Sequence, residues 1–433
     1  MTKKRVTIVI VGGGVGGLKL ATKLGNNLGK SKLANIILVD QNHSYIWKPI
    51  LHEVASGSIN MHLNSVNYFN HAYKHHFHFH LGELRNIDKE KKMITVSTFF
   101  DGGKEKFLER KIKFDILVIS LGSISNDFNI EGVKEHCTFL DNFEQANLFR
   151  EKIIDIFFRK LMVKGNESKI KVAIVGGGAT GVELCAELFN MLNYLNEYKF
   201  EGFNKYQLKV YLLEAEKRIL PSLSERVSQI VKKELEKVGT LILTNTKVKK
   251  VFQYGLQTDS SKIYSDLIVW VAGVKVQNFI KDIDNIKTNS INQIIVRPTL
   301  QTTLNDQIFA IGDCAFLQEE SGRIVPPRAQ AASQMADLCY QNILLMLKKK
   351  TLRSYSYKDR GFLISLSKLN TVGNIFINPI KRPIQIHGSL ARIIYLSLYR
   401  NYQISIHGFL KTFSSTIFEN FDRLSKSSRF NLY

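Results

Sequence analysis

Two glycine clusters hold the residues best spaced for chemistry. In VTIVIVGGGVGGLKLA (6–21) the spaced glycines are Gly12, Gly14 and Gly17; in VAIVGGGATGVELCAEL (172–188) they are Gly176, Gly178 and Gly181. Each cluster follows a β-branched run and precedes a helical pattern. In that context the first glycine permits a tight turn and the second lets backbone approach a pyrophosphate. The third lets helix pack on strand while the helix N-terminus faces the anion. One such match is weak evidence; two, each in strand and helix context, point to two dinucleotides on one chain.

The acid that ends the second strand of such a unit holds a ribose through its hydroxyls. NIILVD places Asp40 at the expected spacing, and LKVYLLEAE offers Glu214 after an inserted polar stretch. A carboxylate at Glu214 accepts bonds from a free ribose diol and repels a 2′-phosphate, favouring NADH over NADPH. Lys217 and Arg218 close by oppose that preference, and EAE stands where glycine usually follows EA.

The elements that must position these residues also repeat. DILVISLG (115–122) and DLIVWVAG (266–273) each put an aspartate ahead of a buried strand that ends in glycine. The reading is an α/β protein of two Rossmann-like dinucleotide-binding domains, the second inserted in the first, plus a C-terminal membrane-associating region. The expected boundaries are 1–125 with 295–348, then 126–294, then 349–433.

The 433 residues, 44% hydrophobic with 7 prolines, exceed one core and suit two or three domains. No window approaches the roughly 20 uncharged apolar residues a membrane span needs; Leu390 to Leu410 comes nearest, interrupted by Arg392 and Arg400. The start, MTKKR then VTIVIV, reads as a first strand and not as a secretory signal. Cys137, Cys185, Cys314 and Cys339 form no CxxC pair, which fits a reducing compartment. The net charge of +22 draws the protein toward nucleic acid or an anionic membrane, or reflects a lysine-rich composition spread over solvated faces.

In TLQTTLNDQIFAIGDCA (299–315) a strand ends at Gly312 and Asp313, placed to bond the ribityl chain of a flavin. With the first fingerprint and Asp40, NHSYIWKPILHEVASG (42–57), the second fingerprint with Glu183, and PPRAQAASQ (326–334), the chain resembles the type II NADH:quinone oxidoreductases. These are single-subunit, non-proton-pumping flavoproteins of bacterial respiratory membranes. The resemblance runs from residue 6 to about 335, and Tyr399 and Arg400 in the tail are family-like. It implies tightly bound FAD in the first unit and NADH in the second, with their rings stacked for hydride transfer, and a membrane quinone such as ubiquinone as electron acceptor. It implies Lys48 as a flavin contact, with His43 and Glu53 in the same stretch. It also implies that Glu183, in the first turn of its helix, couples the NADH and quinone sites as a proton relay. The alternative for Glu183 is a carboxylate that favours the helix dipole.

A disulfide reductase of this fold needs a cysteine pair after the first unit, and QNHSYIWKPILHEVASGSIN contains none. Gln330 and Gln334, four apart, share a helix face and could donate to a quinone carbonyl, while Ala329, Ala331 and Ala332 keep that helix thin. The other reading is a small-residue helix packed on a sheet. From Ile406 the residues Phe409, Leu410, Phe413, Ile417, Phe421 and Leu424 form one face accompanied by Lys411, Arg423, Lys426 and Arg429. That pattern suits an anionic lipid surface, or alternatively a buried helix or a homodimer contact. The location expected is peripheral, on the cytoplasmic face of a bacterial inner membrane.

His76, His78 and His80 would share one strand face in HAYKHHFHFH, but no carboxylate or cysteine completes a metal site, and no metal is expected. Sulfide:quinone reduction through Cys137 and Cys314 is one rival reading. A basic flavin-containing nucleic-acid-binding or signalling protein is the other, disfavoured because no aromatic-interleaved basic patch exists, so no nucleic acid is expected.

Overall fold

A computed structural model of the chain describes residues 5–59, 65–100, 106–162, 169–197, 208–283, 286–367, 370–376, 384–407 and 412. The chain forms two compact units. Met1–Trp47, Asn64–Ile124 and Val274–Asp359 make the first; Lys48–Leu63, Ser125–Gly273 and Arg360–Tyr433 make the second.

The elements that matter here begin with β1 (Val6–Val11), α1 (Val15–Leu24), β2 (Ala34–Asp40), α2 (Leu51–Ala55), β3 (His78–Leu81) and β4 (Ile116–Ile119). They continue with β5 (Thr138–Phe139), β6 (Ile170–Val175), α3 (Ala179–Glu197), β7 (Leu208–Leu213), β8 (Leu241–Leu243) and β9 (Leu267–Trp270). The last are β10 (Gln301–Thr302), β11 (Asn305–Ala310), α4 (Ala329–Leu347) and α5 (Gly388–His407).

In the first unit the sheet order is β10-β11-β4-β1-β2-β3, parallel except for the antiparallel β10–β11 pair. In the second it is β5-β9-β6-β7-β8, parallel throughout. Central parallel strands are covered on both faces, so they read as unbroken apolar runs. ILVI and LIVW are such runs, VTIVIV and IKVAIV are broken only at their second residue by Thr7 and Lys171, and Ile8, Val9, Ile10, Leu117, Ala173, Ile174 and Val269 are fully buried.

The repeat extends beyond the sequence blocks that revealed it. A three-stranded antiparallel meander precedes β4 (Glu83–Asp88, Met93–Phe100, Lys106–Lys113), and another precedes β9 (Val248–Phe252, Gly255–Thr258, Lys262–Tyr264). The aspartate that leads each final strand clasps the strand that enters its unit's glycine turn. Asp115 Oδ2 accepts from Thr7 N at 2.8 Å, and Asp266 Oδ2 accepts from Lys171 N at 2.7 Å.

The expected histidine face does not form, because His76 adopts φ +58° and the strand begins only at His78. His71 instead sits buried in a helix, its Nε2 2.8 Å from Thr22 Oγ1. Among the described residues no group of three His, Cys, Asp or Glu is placed to hold a metal.

Arg360 onward contributes an antiparallel sheet (Gly361–Ser365, Thr371–Ile375, Ile384–His387) and then α5. No helix among the described residues is long and apolar enough to cross a membrane. Phe409, Leu410, Phe413, Ile417, Phe421 and Leu424 lie outside the described residues.

Candidate active site

Both glycine turns are built on the same backbone bonds. Gly12 adopts φ +99° and donates its N–H to Val39 O at 2.8 Å; Gly176 adopts φ +116° and donates to Leu213 O at 2.8 Å. A Cβ on Gly17 would stand 1.9 Å from Gly12 O, and one on Gly181 would stand 2.0 Å from Gly176 O. Those two positions must be glycine for the helix to reach its strand. At Gly14 and Gly178 a Cβ would meet nothing within 4 Å. No packing requires glycine there, and bare backbone at the start of each helix leaves room for an anion.

Asp40 and Glu214 brace these loops. Asp40 Oδ2 accepts from Gly13 N at 2.6 Å and Oδ1 from Asn42 N at 2.8 Å. Glu214 Oε2 accepts from Gly177 N at 2.8 Å and Oε1 from Glu216 N at 2.9 Å.

Past the turns the cradles diverge. Gly122 (φ +70°) has open space where a Cβ would be, whereas the equivalent Gly273 (φ +61°) lies under the Phe128 ring, 2.6 Å from a hypothetical Cβ. In the first unit the cradle continues to Gly312 (φ +77°), where the nearest atom to a Cβ is Ala332 Cβ at 3.3 Å. Asp313 follows, its Oδ2 accepting from Ser123 Oγ at 3.0 Å and its carbonyl from Gln293 Nε2 at 2.8 Å.

Glu183 departs from expectation. Helix α3 starts at Ala179, so Glu183 is its fifth residue, one turn inside and not in the first turn. A favourable interaction with the dipole belongs to the first turn, so it does not explain this residue. The residue is 7% exposed; Oε1 accepts from Ser365 N at 2.9 Å, and Oε2 lies 3.6 Å from His52 Nδ1. Burial pushes its carboxyl well above the usual range, with Glu53 and Glu187 adding to the rise and the Ser365 bond opposing it.

His52, 2% exposed on α2, is pulled down by burial to about 4 against the opposing influence of Glu187 and a hydrogen bond to the Pro49 carbonyl. Its ring is therefore neutral at physiological pH. Glu187, four residues after Glu183 and also buried, accepts on Oε2 from Ser58 Oγ at 2.6 Å and Ser56 Oγ at 3.2 Å. His52 and Glu187 were not singled out from sequence. The signal was present: two acids spaced i, i+4 in GVELCAELFNML, apolar but for them and Asn190, share a helix face with buried neighbours.

On α4, Gln330 Nε2 is 3.5 Å from Asp359 Oδ1. Gln334 bonds a backbone amide at both ends, Nε2 donating to Lys358 O at 2.8 Å and Oε1 accepting from Lys358 N at 3.0 Å. Ala331 and Ala332 are buried, and Ala332 O would lie 3.3 Å from a Cβ on Gly16 of α1, so small residues here allow two helices to approach. Pro326 and Pro327 precede the helix, which opens at Ala329 after Arg328 in extended backbone. Lys48 is exposed at the start of the short turn Lys48–Ile50.

All four cysteines are free. Burial pushes the thiols of Cys137 and Cys314 up to about 12 and raises those of Cys185 and Cys339 further. None is a ready nucleophile at neutral pH.

Residues 6–336 match the family model for pyridine nucleotide-disulphide oxidoreductases. A type II NADH:quinone oxidoreductase of Haemophilus influenzae is 42% identical over 422 residues, covering 93% of this chain and 95% of the relative. The chain belongs to the type II NADH:quinone oxidoreductases, within the pyridine nucleotide-disulphide oxidoreductase family. A type II NADH:quinone oxidoreductase of Staphylococcus aureus is 28% identical over 389 residues, 88% of this chain and 92% of the relative.

Among solved structures, NDH2 from Plasmodium falciparum in complex with NADH superposes with TM-score 0.81 at 19% identity, covering 95% of this chain and 98% of the other. The sulfide:quinone oxidoreductase of Aquifex aeolicus gives 0.71 at 17% identity, covering 93% and 92%. The fold is thus shared by proteins that take electrons from different donors. The type II membership agrees with four inert thiols, which fit neither disulphide nor sulfide chemistry.

Proposed function

We propose that this protein oxidises NADH and reduces a quinone to quinol, with FAD held by the first unit and NADH by the second. The observation that carries this is the pair of glycine cradles, alike to within about 0.2 Å in their bracing bonds, each leaving open space at Gly14 or Gly178. Two such cradles serve a dinucleotide donor and a dinucleotide carrier on one chain.

The donor set fits FAD. Gly12, Gly14 and Gly17 admit the pyrophosphate, Asp40 takes a ribose, and the longer cradle through Gly122, Gly312 and Asp313 accommodates the ribityl chain and ring, with Lys48 contributing a flavin contact. When bound, FAD supplies a ring that accepts hydride from NADH and releases two electrons to quinone. Gly176, Gly178, Gly181 and Glu214 hold NADH, and the Phe128 ring over Gly273 ends that cradle early. Glu183 keeps a proton on its buried carboxyl and delivers it toward the quinone side. Gln330 and Gln334 flank the quinone headgroup from α4.

Quinone dissolves in lipid, so the enzyme works at a membrane. On α5, Leu390, Ile393 and Leu396 are 60%, 64% and 42% exposed at steps of three, with Arg392 exposed among them. Exposed apolar side chains beside basic ones, on a chain of charge +22, support docking on the anionic cytoplasmic face of an inner membrane.

Anaerobic absorbance of the FAD-loaded protein tests the reading. NADH should bleach the flavin and a short-chain quinone should restore it; bleaching without recovery leaves quinone refuted as acceptor. Glu183→Gln should still bleach but recover about 100-fold more slowly.

A further inference from the structure

The overall reaction, NADH + H⁺ + quinone → NAD⁺ + quinol, draws one proton per turnover from solvent. Glu183 is buried, so a proton it gives up must be replaced through the protein. Helix α2 lies against α3 with two titratable side chains on it, His52 and Glu53. Glu183 Oε2 is 3.6 Å from His52 Nδ1, and His52 Nε2 is 3.8 Å from Glu53 Oε1. Glu53 reaches water, being 22% exposed, while His52 is 2% exposed. His52 Nε2 is buried with no hydrogen-bond partner. The ring's bond to the Pro49 carbonyl needs a donor, so the proton sits on Nδ1 and the orphaned Nε2 carries the lone pair.

We propose that Glu53 and His52 form the inward proton path that recharges Glu183. It rests on Glu183 being the proton donor on the quinone side.

Glu53, protonated from solvent, gives its proton to the Nε2 lone pair of His52. The Nδ1 proton then passes to Glu183 Oε2, and a turn of the ring restores the neutral tautomer. One proton enters at Glu53 for each one that leaves Glu183, and no electrons move. Both gaps exceed hydrogen-bond length by less than 1 Å, within reach of a side-chain rotation at each end. A histidine that is neutral at rest serves this purpose, since its lone pair stays available. Ser56 and Ser58 bond Glu187 and not Glu183, so they do not bypass His52.

The test uses the FAD-loaded full chain in stopped flow, following flavin bleaching by NADH and then recovery on short-chain quinone, with a pH indicator reporting proton uptake. His52→Phe, Glu53→Ala, Glu53→Gln and Glu183→Gln are compared. Bleaching checks that fold and donor site are intact; Glu53 is partly exposed, which guards against loss of folding at buried His52. His52→Phe and both Glu53 variants should recover about 10-fold more slowly with proton uptake delayed to match. Formate should restore Glu53→Ala, because a small acid can occupy the solvent-facing end, and this rescue is not expected of a structural defect.

Wild-type recovery in either Glu53 variant or in His52→Phe, with Glu183→Gln slowed, overturns the path and leaves Glu183 in its role. Wild-type recovery in all four overturns both. Slow recovery of Glu53→Ala that formate leaves unchanged also overturns the path.

Discussion

Helices α1 and α3 follow equivalent turns and carry basic side chains in one and acidic side chains in the other at equivalent positions. Counting from the last fingerprint glycine, Lys19 and Lys23 in the first unit correspond to Glu183 and Glu187 in the second. Lys19 and Lys23 bind Asp337 of α4 at 2.7 and 2.8 Å, and Lys19 also donates to Ser333 Oγ at 2.8 Å. Burial acts to raise the Asp337 carboxyl, but the bonds from the two lysines outweigh it and hold the group below its usual range. That helix is fastened. In α3 the same two positions face α2 and the backbone of Ser365 with carboxyl groups, and burial raises that of Glu183 well above its usual range. One backbone frame thus carries a lysine–aspartate clamp in one unit and a buried acidic pair in the other.

The largest effect should come from the third fingerprint glycine. Gly17→Ala and Gly181→Ala each drive a Cβ into a backbone oxygen at 2.0 Å or less, which should cost about 3 kcal/mol in thermal unfolding. Gly17→Ala should lose flavin, while Gly181→Ala should keep it and lose bleaching by NADH. Equal loss of flavin in both would break the division of labour between the units.

Next comes pH. Glu183 is raised in the folded state, so its favourable contribution is complete below the ordinary carboxylate range and fades as pH rises through the folded value. His52 is lowered from 6.5 to about 4, so its contribution is complete above 6.5 and is lost as pH falls toward 4, by at most about 3 kcal/mol. The Asp337 clamp is lost only at pH below the ordinary aspartate value. Glu183→Gln should therefore flatten the alkaline side of the stability profile and His52→Asn the acid side between 6.5 and 4, both read as unfolding midpoints. A profile unchanged in both variants would remove the contrast drawn here.

Smaller effects sharpen the likeness. Asp115→Asn and Asp266→Asn each weaken a strand clasp, by about 1–2 kcal/mol in denaturant unfolding. Asp266→Asn should cost more, because Asp266 also pairs with Lys160 at 2.9 Å. Smallest in stability, within about 0.5 kcal/mol, should be Gly14→Ala and Gly178→Ala, whose Cβ atoms meet open space. Yet the first should weaken flavin retention and the second should raise KM for NADH about tenfold, because the methyl occupies the space left for the pyrophosphate.

The sequence made the glycine turns, Asp40, Glu214 and the two clasping aspartates legible because each is a local pattern whose purpose is fixed by backbone geometry. The meanders were not legible. Strands such as VKKVF show lysine on the open face, and the copies share little beyond the Lys-Ile pair ahead of each clasping aspartate, Lys111-Ile112 and Lys262-Ile263. The setting of Glu183 was hidden for a different reason: His52 and Glu53 lie 131 and 130 positions before it, and no periodicity links them. Their grouping with the second unit follows from tertiary packing of 48–63. His76 escaped its strand because a left-handed residue ends the preceding helical turn, a backbone choice that alternation of side chains does not report.

The two aspartate clasps also bear on how such a chain could lengthen without losing its shape. Each closes a ring of peptide, spanning 108 positions at Asp115 and 95 at Asp266. Closure entropy grows only with the logarithm of ring size, so the two rings differ by about 0.1 kcal/mol, and doubling either would add only about 0.6 kcal/mol. Whole meanders and polar inserts therefore fit between the clasped ends at little thermodynamic penalty. After duplication, each copy was free to gain chain length inside its ring while a single carboxylate kept the ends in register.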